Sequence, residues 1–466
     1  MTQPEPPESP LWWVKRLHKQ LRTQAQHFEL MDAYYRGEPA SLPWLPEQAR
    51  TEFARLLKLT KSNYMGLVID SMVERMQVEG FRVGASAQAD KKTWKIWQAN
   101  NLDSGFDQVL LESAIGGNAF LLIAPNATTP DRPLIYPEHP TQAIVAYEPG
   151  TSRRVRAAGL KVWRDDWTGH TMATLYLPDR IYKYRSERAA LAGEAYEPDW
   201  QAREVRGEPW PAPNPLGDVP LVEIVNNPRM LSGGVSEIAD VVSIQDRIGK
   251  TIADRLMTQD YGAFPQKWAT GFPEADENGN ANRIDVGRNR LVRSDIAETK
   301  FGQWDAAPLD PYSAAKREDV KDIASRTRTP AQYLLGEMSN VNGETLKASE
   351  SGLVSKVRQR FRTAGEGTED AARLARRIAG LGGDDEAMET IWRNPEFRTE
   401  GELVDALVKM ATLGVPQEAL WERWGASQVE IGRWKAMREE QIQLDPIGAV
   451  SRVAGQQDEG QPGAQE

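Results

Sequence analysis

Three groups of neighbouring carboxylates are the residues in this sequence whose type and spacing could support metal binding or acid–base chemistry. The groups are Asp165-Asp166, Glu274 with Asp276 and Glu277, and Asp384-Asp385-Glu386. All three fall in predicted loops or turns, and no supporting motif surrounds them. We therefore favour a solvated surface over a catalytic or metal-binding role for each group.

The histidines and the glycine-rich run at 380–383 do not complete a catalytic or metal-binding motif either. His18, His27, His139 and His170 are scattered and form no pattern such as His-Glu-x-x-His, so structural roles are favoured. The sequence has no cysteine, which excludes disulfides, thiolate nucleophiles and cysteine-bound zinc. No glycine-rich loop ends in Gly-Lys-Ser/Thr, as phosphate binding by a nucleotide-driven motor requires. We predict no catalytic residues, no metal site, no cofactor and no enzymatic activity.

Basic residues are concentrated in one stretch of the second half of the chain. They are Lys316, Arg317, Lys321, Arg326, Arg328, Lys347, Lys356, Arg358, Arg360 and Arg362. Acidic residues such as Glu318 and Asp322 are interleaved with the first of them, as on an ordinary solvated helix, so a DNA-facing role and a plain solvated face both stay open. The whole chain has 57 basic and 67 acidic residues, a net charge of −10, so any contact with DNA should lack strong adhesion.

These basic residues lie on the returning half of a predicted helical arm. The outgoing helix is predicted from Val235 to Gln259, where apolar residues recur at helical spacing, and it would span roughly 37 Å. The return helix should run from Asp310, as the N-cap before Pro311, to about Thr327. Between the helices, three strands should form a small β unit. The predicted strands are Gln266–Thr270, Arg290–Arg293 and Lys300–Trp304.

A polar loop bounded by Gly336 and Gly343 follows Pro330, which should end the return helix. A further helix is predicted from Glu344 to Ile378, with a kink expected at Gly365 and Gly367. The chain beyond Gly383 should be helical in short pieces, which begin near Thr399, Pro416 and Ser427. The tail from Asp445 is poor in apolar residues, so we expect it to be disordered.

The first half of the chain reads as a mixed helix and strand region, so the predicted fold class is α+β and mainly helical. Predicted helices are Leu11–Tyr35, Glu47–Leu59, Tyr64–Met76, Lys91–Asn100 and Phe106–Ile115. Predicted strands are Ala119–Ile123, Ala143–Tyr147, Gly159–Trp163, Thr171–Tyr176, Arg180–Tyr184 and Leu221–Val225.

Length and composition set broader limits. At roughly 150 residues per domain, 466 residues should form about three structural units. Met1 to Pro10 lacks the features of a signal peptide and no run of 18 apolar residues occurs, so we expect a soluble protein. Tryptophan is abundant, with 15 residues, and six of them are predicted to be core or interface residues on amphipathic helices: Trp94, Trp97, Trp392, Trp421, Trp424 and Trp434.

Several short runs, in order and spacing, closely resemble the portal proteins of tailed bacteriophages, in particular those of long-tailed siphophages. The resemblance extends from about Leu11 to Trp434. The matching runs begin at Gly234-Val-Ser-Glu-Ile, Gln245-Asp-Arg-Ile-Gly-Lys, Phe264-Pro-Gln-Lys-Trp, Ser325-Arg-Thr-Arg-Thr-Pro and Asn342-Gly-Glu-Thr-Leu-Lys, with further matches at Tyr34-Tyr35-Arg-Gly, Val78-Glu-Gly-Phe and Leu420-Trp-Glu-Arg-Trp-Gly.

The resemblance implies a ring of twelve subunits at one capsid vertex, through which a terminase motor pumps double-stranded DNA. It also implies a division of the subunit into regions that portal proteins share. These are a flexible N-terminus (1–10), an α+β wing (11–230), a first stem helix (231–261), a clip (262–307), a second stem helix (308–329), a tunnel loop region (330–343), a long wing helix (344–380), a helical crown (381–443) and a disordered tail (444–466).

The resemblance further implies which residues meet DNA and which meet partner proteins. Expected DNA-facing residues are Lys316, Arg317, Lys321, Arg326, Arg328, Glu337, Met338, Ser339, Asn340, Val341, Asn342 and Lys347. Expected contacts of the clip with terminase or adaptor proteins are Trp268, Glu274, Asp276, Glu277, Arg290 and Arg293.

Expected partners are other copies of the chain, double-stranded DNA bound without sequence specificity, the terminase large subunit, scaffold and major capsid proteins, and head-completion proteins, with no membrane. The resemblance places the protein in the virion after synthesis in the host cytoplasm. Two alternatives stay open: a head-to-tail connector or scaffold that conducts no DNA, and an enzyme housed in the α+β half.

Overall fold

The computed structural model describes most of the chain. The described residues are 6–38, 59–84, 89–151, 155–189, 197–230, 233–263, 267–271, 298–303, 305, 307–336, 343–382, 387–396, 400–426 and 428–444. The predicted helix Glu47–Leu59 lies almost wholly outside these ranges, as do the predicted strand Arg290–Arg293 and the tail from Asp445.

Four helices and ten strands of the first half form the predicted α+β region. The helices are α1 (Pro10–Tyr35), α2 (Met65–Val73), α3 (Lys91–Ala99) and α4 (Leu102–Gly116). The strands are β1 (Val78–Val83), β2 (Asn118–Ala124), β3 (Leu134–Glu138), β4 (Ala143–Tyr147), β5 (Arg156–Arg164), β6 (Thr171–Tyr176), β7 (Arg180–Ser186), β8 (Trp200–Ala202), β9 (Ala212–Pro213) and β10 (Leu221–Val225). The α+β fold class is therefore confirmed.

Antiparallel pairing arranges these strands in separate sheets. The largest sheet has six strands in the order β4-β5-β6-β7-β8, with β9 also paired to β7, and a second sheet has the order β10-β2-β3. One side of α1 packs on the six-stranded sheet, where Val14, Leu17 and Leu21 meet a core that includes Leu160 and Leu175. Leu17 and Leu160 are wholly buried, so this contact anchors α1 on the sheet.

The second half of the chain supplies the long helices. They are α5 (Val242–Ala263), preceded by a 3-10 turn at Ala239–Val241, α6 (Asp310–Thr327), α7 (Ala331–Leu335) and α8 (Gly343–Ile378), followed by α9 (Glu400–Thr412), α10 (Gln417–Trp424) and α11 (Gln428–Leu444). Between α5 and α6, β11 (Lys267–Thr270) pairs antiparallel with β12 (Lys300–Gln303), as two of the predicted strands require. None of the helices in the described part of the chain combines the length and apolar character that a membrane crossing requires.

Helix α8 lies in the centre of the main core, against β10 and β2 and close to α2 and α3. Leu353 and Val357 are wholly buried, and the core continues into α2, α4, α5 and α6. The helix is continuous through Gly365 and Gly367, where the sequence predicted a kink. Gly367 instead allows a close approach to β10, because a Cβ at this position would lie 2.7 Å from the carbonyl oxygen of Glu223.

The outgoing helix begins seven residues later than predicted. The backbone NH of Val235 donates to the carbonyl of Asn226, and the Asn226 side-chain amide donates to the carbonyl of Val235 at 2.8 Å. These bonds hold the segment against the end of β10, so its backbone groups are not free to start a helix. Periodicity of the apolar residues could not reveal this competing set of hydrogen bonds.

Two other predictions about local structure are wrong. Asp310 is the first residue of α6, not its N-cap, and the N-cap Leu309 makes no side-chain capping bond. The segment after Gly383, predicted to be helical, contains the strand β13 (Met388–Trp392), which pairs antiparallel with β1. Trp392 therefore lies on a strand and stacks on Phe361 of α8 with ring centroids 4.7 Å apart. A strand this short is chosen by its distant partner and not by local propensity.

The contact between Gly117 and Gly234 should be essential for folding. A Cβ at Gly234 would lie 1.8 Å from the carbonyl oxygen of Gly117, so no side chain fits. We expect Gly234→Ala to lower the free energy of unfolding by about 1–3 kcal/mol, as overpacking does. The matched control is Gly249→Ala on α5, where a Cβ meets nothing within 4 Å. Better helix propensity should make that variant neutral or up to about 1 kcal/mol more stable in denaturant unfolding. Equal effects of the two substitutions would contradict this interpretation.

Candidate functional site

Helices α5 and α6 form an antiparallel pair, the feature that the predicted arm requires. Their facing sides bury Ile248 and Ile252 of α5 and Val320 and Ile323 of α6. A guanidinium crosses the pair near its base, where Arg247 Nε donates to Asp319 Oδ1 at 2.7 Å. Farther along, Thr258 Oγ1 donates to the Tyr312 hydroxyl at 3.1 Å. The register of these bonds shows that the chain returns along α6 beside α5.

The predicted cations of the return helix do not share one face. Arg317 and Lys321 are exposed and stand four positions apart, so they lie on the same face of the helix. Arg328 is exposed too, but it lies just beyond the last residue of α6 in a left-handed backbone conformation, so helical spacing does not align it with them. Lys321 also pairs with Glu318 at 2.7 Å. We call Arg317 and Lys321 the basic stripe. It is the part of the predicted DNA-facing set that α6 can present to one partner.

The other predicted cations point elsewhere. Arg326 is exposed but lies nine positions from Arg317, on the opposite border of the exposed side of α6. Lys316 is half-buried, and its ammonium lies 5.8 Å from the centre of the Tyr64 ring. Lys347 is exposed on α8.

The predicted tunnel-loop residues Glu337, Met338, Ser339, Asn340, Val341 and Asn342 lie outside the described residues. The residues on either side of this loop are held in place by hydrogen bonds. The Arg75 guanidinium donates to the Tyr333 hydroxyl of α7 at 2.8 Å and to the carbonyl of Pro395 at 2.9 Å. The Tyr333 hydroxyl in turn donates to Glu350 of α8. Helices α7 and α8 are thereby joined on both sides of the segment 337–342.

Two basic residues that the sequence placed among the exposed cations are instead buried. Lys356 and Arg360 of α8 are about 5% exposed and face the carboxylate of Glu237, which lies two residues before the 3-10 turn that leads into α5. Arg360 Nε donates to Glu237 Oε1 at 2.6 Å, and Lys356 Nζ lies 3.5 Å from Oε2. Neither cation is available to DNA. Helical spacing alone could not distinguish them from the solvated cations nearby.

The charges in this buried cluster are unequal, with two cations around one carboxylate. Burial acts to raise the pKa of Glu237, but Lys356 and Arg360 outweigh it, so the pKa is lowered and the carboxylate stays ionised. Burial lowers the pKa of Lys356 although Glu237 opposes that change. Among the described residues, Lys356 Nζ has no hydrogen-bond partner. The Glu237 carboxylate therefore supplies the negative charge for both cations of the cluster.

The predicted clip is described only at the strand pair β11–β12. Trp268 of β11 lies opposite Gly302 of β12, and a Cβ on Gly302 would meet the indole at 2.3 Å. The indole is 39% exposed, so one part of it covers the ribbon while the rest is accessible. The remaining predicted contacts, Glu274, Asp276, Glu277, Arg290 and Arg293, lie outside the described residues.

Among the residues that the structure describes, the candidate carboxylates and histidines are not brought together. Asp165 lies in a turn and accepts from the backbone NH of Trp167 at 3.0 Å and from the Thr168 hydroxyl at 2.7 Å. Asp384, Asp385 and Glu386 lie outside the described residues. His139 contacts Glu112 at 3.6 Å, while His18 packs edge-on against Trp200. Within the described ranges, no three His, Asp or Glu side chains could hold a metal ion together.

The family model for phage portal proteins of the SPP1 Gp6-like type matches residues 14–444. The chain belongs to this family. The match covers the α+β region, the helix pair and the C-terminal helices, and it confirms the family predicted from short sequence runs.

Two portal proteins of mycobacteriophages are similar to this portal-family chain over most of their length. The portal protein of Mycobacterium phage D29 is 30% identical over 440 residues, which covers 88% of this chain and 85% of the relative. The portal protein of Mycobacterium phage L5 is 30% identical over 402 residues, 81% of this chain and 79% of the relative. A chain from a solved structure titled "Neck of empty GTA particle computed with C6 symmetry" aligns at 13% identity with a TM-score of 0.41 and covers 82% of this chain and 94% of that one.

The buried cluster predicts unequal effects of removing its members. Glu237→Gln leaves two buried cations without a counter-charge, and we expect a loss of about 3–5 kcal/mol in the free energy of unfolding. Lys356→Met removes the surplus cation and leaves the pair of Glu237 with Arg360, so we expect a change of at most about 1 kcal/mol. Urea unfolding of both variants measures the difference. Equal losses would show that the surplus charge is not the controlling feature.

Proposed function

We propose that the protein is the portal subunit of a tailed phage and forms a twelve-membered ring at one vertex of the capsid. The ring would serve as the channel for packaging and ejection of double-stranded DNA. The observation that carries the proposal is the family match over residues 14–444. The role is structural, since portal proteins build a passage and a separate terminase motor supplies the energy.

The proposed regions of the subunit follow from this role. Residues 11–230 would form the wing, 231–261 and 308–329 the stem, 262–307 the clip, 330–343 the tunnel loop region, 344–380 the long wing helix and 381–443 the crown. The pairing of α5 with α6 and the short ribbon β11–β12 between them support the stem and clip assignments. The hydrogen bond from the Tyr333 hydroxyl of α7 to Glu350 of α8 supports a tunnel loop that is held at both ends.

The basic stripe of Arg317 and Lys321, with Arg328 just beyond the end of α6, is the proposed DNA-facing surface of the stem. Each contact between a cation and a phosphate would release counterions and add affinity, so a channel for moving DNA can carry only a few such residues per subunit. Acidic residues beside the stripe, such as Glu318, weaken each contact further. A ring would repeat this surface in every subunit.

The clip is the proposed docking site for the terminase large subunit and later for head-completion proteins. Trp268 supports this assignment because its indole is partly accessible on a small ribbon, and partly buried tryptophans are common anchors in protein interfaces. Scaffold and major capsid proteins would contact the outer part of the ring. The protein would be made in the host cytoplasm and reside in the virion.

The first test is electron microscopy of the purified full-length protein, with subunits counted in end-on views. We expect rings with a central pore wide enough for a DNA duplex. Rings with a narrower pore would favour a connector that conducts no DNA. A stable monomer or dimer at high concentration would overturn the proposed function and return attention to an enzyme in the α+β half.

The basic stripe can be tested by charge reversal. In phage whose portal carries Arg317→Glu with Lys321→Glu, we expect a several-fold smaller fraction of DNA-filled heads, because acidic side chains would repel the DNA in every subunit. The matched control is Lys19→Glu with Arg22→Glu, which makes the same charge change at two exposed positions on α1. Normal rings and normal filling in the stripe variant would show that this face of α6 does not meet DNA.

A further inference from the structure

The three C-terminal helices α9, α10 and α11 have a very small core of their own. Among the described residues from 400 to 444, the apolar side chains that are buried are Leu420, Ala426 and Ile431. A unit of this size has to bury more apolar surface than these three residues provide, because ordering each residue costs conformational entropy. A further segment should therefore cover part of the apolar surface of this unit.

Helix α9 carries apolar residues around more than half of its circumference. At 100° per residue, the apolar positions from 403 to 411 span roughly 200°. Leu403, Leu407 and Met410 form one side of this arc, and all three are half-buried. Helix α10 packs against α9. One packing partner accounts for one apolar side of a helix, which leaves the other side of the arc to be explained.

The other side of this arc is exposed. Val404 and Val408 are 48% and 58% exposed, and Ala411 is exposed one turn further along. The three residues stand four and three positions apart, so they form one line along the helix. We call Val404, Val408 and Ala411 the open face of α9. A second apolar side on one helix indicates a second packing partner.

The end of α11 lies at the same end of the unit as the C-terminus of α9. Helices α10 and α11 run antiparallel, since the Arg438 guanidinium donates to the Gln417 side chain while Trp434 lies edge-on to Trp421, with ring centroids 5.5 Å apart. Helix α11 extends six residues beyond Arg438, roughly 9 Å past the start of α10. It therefore ends on the side of the turn 413–416 between α9 and α10, in which Leu413 is 82% exposed. The last 22 residues of the chain leave the unit here.

The sequence that follows α11 divides into two parts. Residues 446–454 contain Ile447, Val450, Val453 and Ala454, whereas residues 455–466 contain one alanine and no larger apolar residue. Ile447, Val450 and Ala454 stand three and four positions apart, so a helix would place them on one side. The composition that favours disorder belongs to residues 455–466, and the first part has the pattern of a short amphipathic helix.

The first part also has the start and stop signals of a helix. Asp445 precedes Pro446, which is the order of an N-cap residue and a proline at the first helical position. Gly455 follows the last apolar residue, where helices commonly end. Nine residues are too few for a stable helix in isolation, so this helix requires an apolar surface to pack on.

The spacing of the open face and of the tail matches in reverse order. Along α9 the intervals are four and then three residues, and along the tail they are three and then four. Two antiparallel helices therefore place Val450 opposite Val408, and the large Ile447 opposite the small Ala411. A segment that returns from the end of α11 towards the start of α9 runs antiparallel to α9. Direction, length and spacing thus all favour the same occupant.

We propose that residues 446–454 form a helix that packs antiparallel on the open face of α9 in the same subunit. This helix completes the core that α9, α10 and α11 lack, and it leaves residues 455–466 in solvent. The inference goes beyond the proposed function and does not depend on ring formation.

Disulfide trapping in the full-length protein tests the contact, because the chain has no cysteine of its own. In Val408→Cys with Val450→Cys, we expect mild oxidation to close a loop within one chain, which then migrates faster on a non-reducing gel. The matched control is Val408→Cys with Arg452→Cys, since position 452 lies on the opposite side of the proposed helix. A disulfide needs Cα atoms within about 7 Å, so the control should react at least about tenfold more slowly.

Two outcomes of the trapping experiment would overturn the proposal. Equal rates for the two cysteine pairs would show that the segment has no fixed orientation on α9. Covalent dimers from the pair at positions 408 and 450 would assign the open face to a tail from another copy of the chain.

Hydrogen exchange of the full-length protein provides a second measurement. Relative to their intrinsic rates, the amides of residues 449–454 should exchange at least about tenfold more slowly than those of residues 456–466. Val450→Asp should accelerate exchange in α9 and in residues 449–454 by about tenfold or more, because the burial of a valine is lost. The matched control Gln456→Asp introduces the same side chain beyond Gly455 and should change neither rate. Unprotected amides at 449–454, or an α9 that is insensitive to Val450→Asp, would contradict the packing.

Discussion

The position of the long helices depends on the ion pairs that the buried Glu237 carboxylate makes. It precedes the turn into α5, and its two cationic partners, Lys356 and Arg360, lie on the most central helix of the subunit. A buried carboxylate without partners would be costly, so this residue can occupy its site only when α8 is packed in place. The start of helix α5 and the core of the α+β half therefore form together.

The neighbouring backbone strengthens this constraint. Asn226 and Val235 exchange hydrogen bonds just before Glu237, and Gly117 and Gly234 pass so closely that neither could carry a side chain. The close contact explains why α5 begins late: the residues of its first possible turn are held against Gly117 and the end of β10. The direction of the helix pair relative to the sheet is thus set by polar and steric contacts that lie outside the pair.

The charges of the second half serve two different purposes. Lys356 and Arg360 are used within the subunit, while Arg317 and Lys321 remain at the surface of α6. Arg326 is exposed on the other border of this helix, so the helix of a chain with net charge −10 presents a few separated cations. For a proposed channel, such a surface attracts a polyanion weakly enough for it to move.

Many elements were predictable from local pattern. Helices α1, α3 and α4, the strands β4 and β6, and the pairing of β11 with β12 follow from apolar periodicity and from turn residues, and all are close to their predicted bounds. The family was also recognisable from short runs. Strand β13 was not predictable, because Met388–Trp392 pairs with β1 more than 300 residues earlier, and neither were the burial of Lys356 and Arg360 or the true start of α5.

The sequence by itself determined the α+β class, the out-and-back helices, the family and the excess of acidic residues. These features depend on the local spacing of residues and on composition, which do not change with the position of a segment in the folded protein. The tertiary structure decided which cations are buried, which of them stay exposed on α6, and which distant segments pair, such as β13 with β1. Those outcomes depend on contacts between residues far apart in the chain, whose energies do not exist until the segments meet.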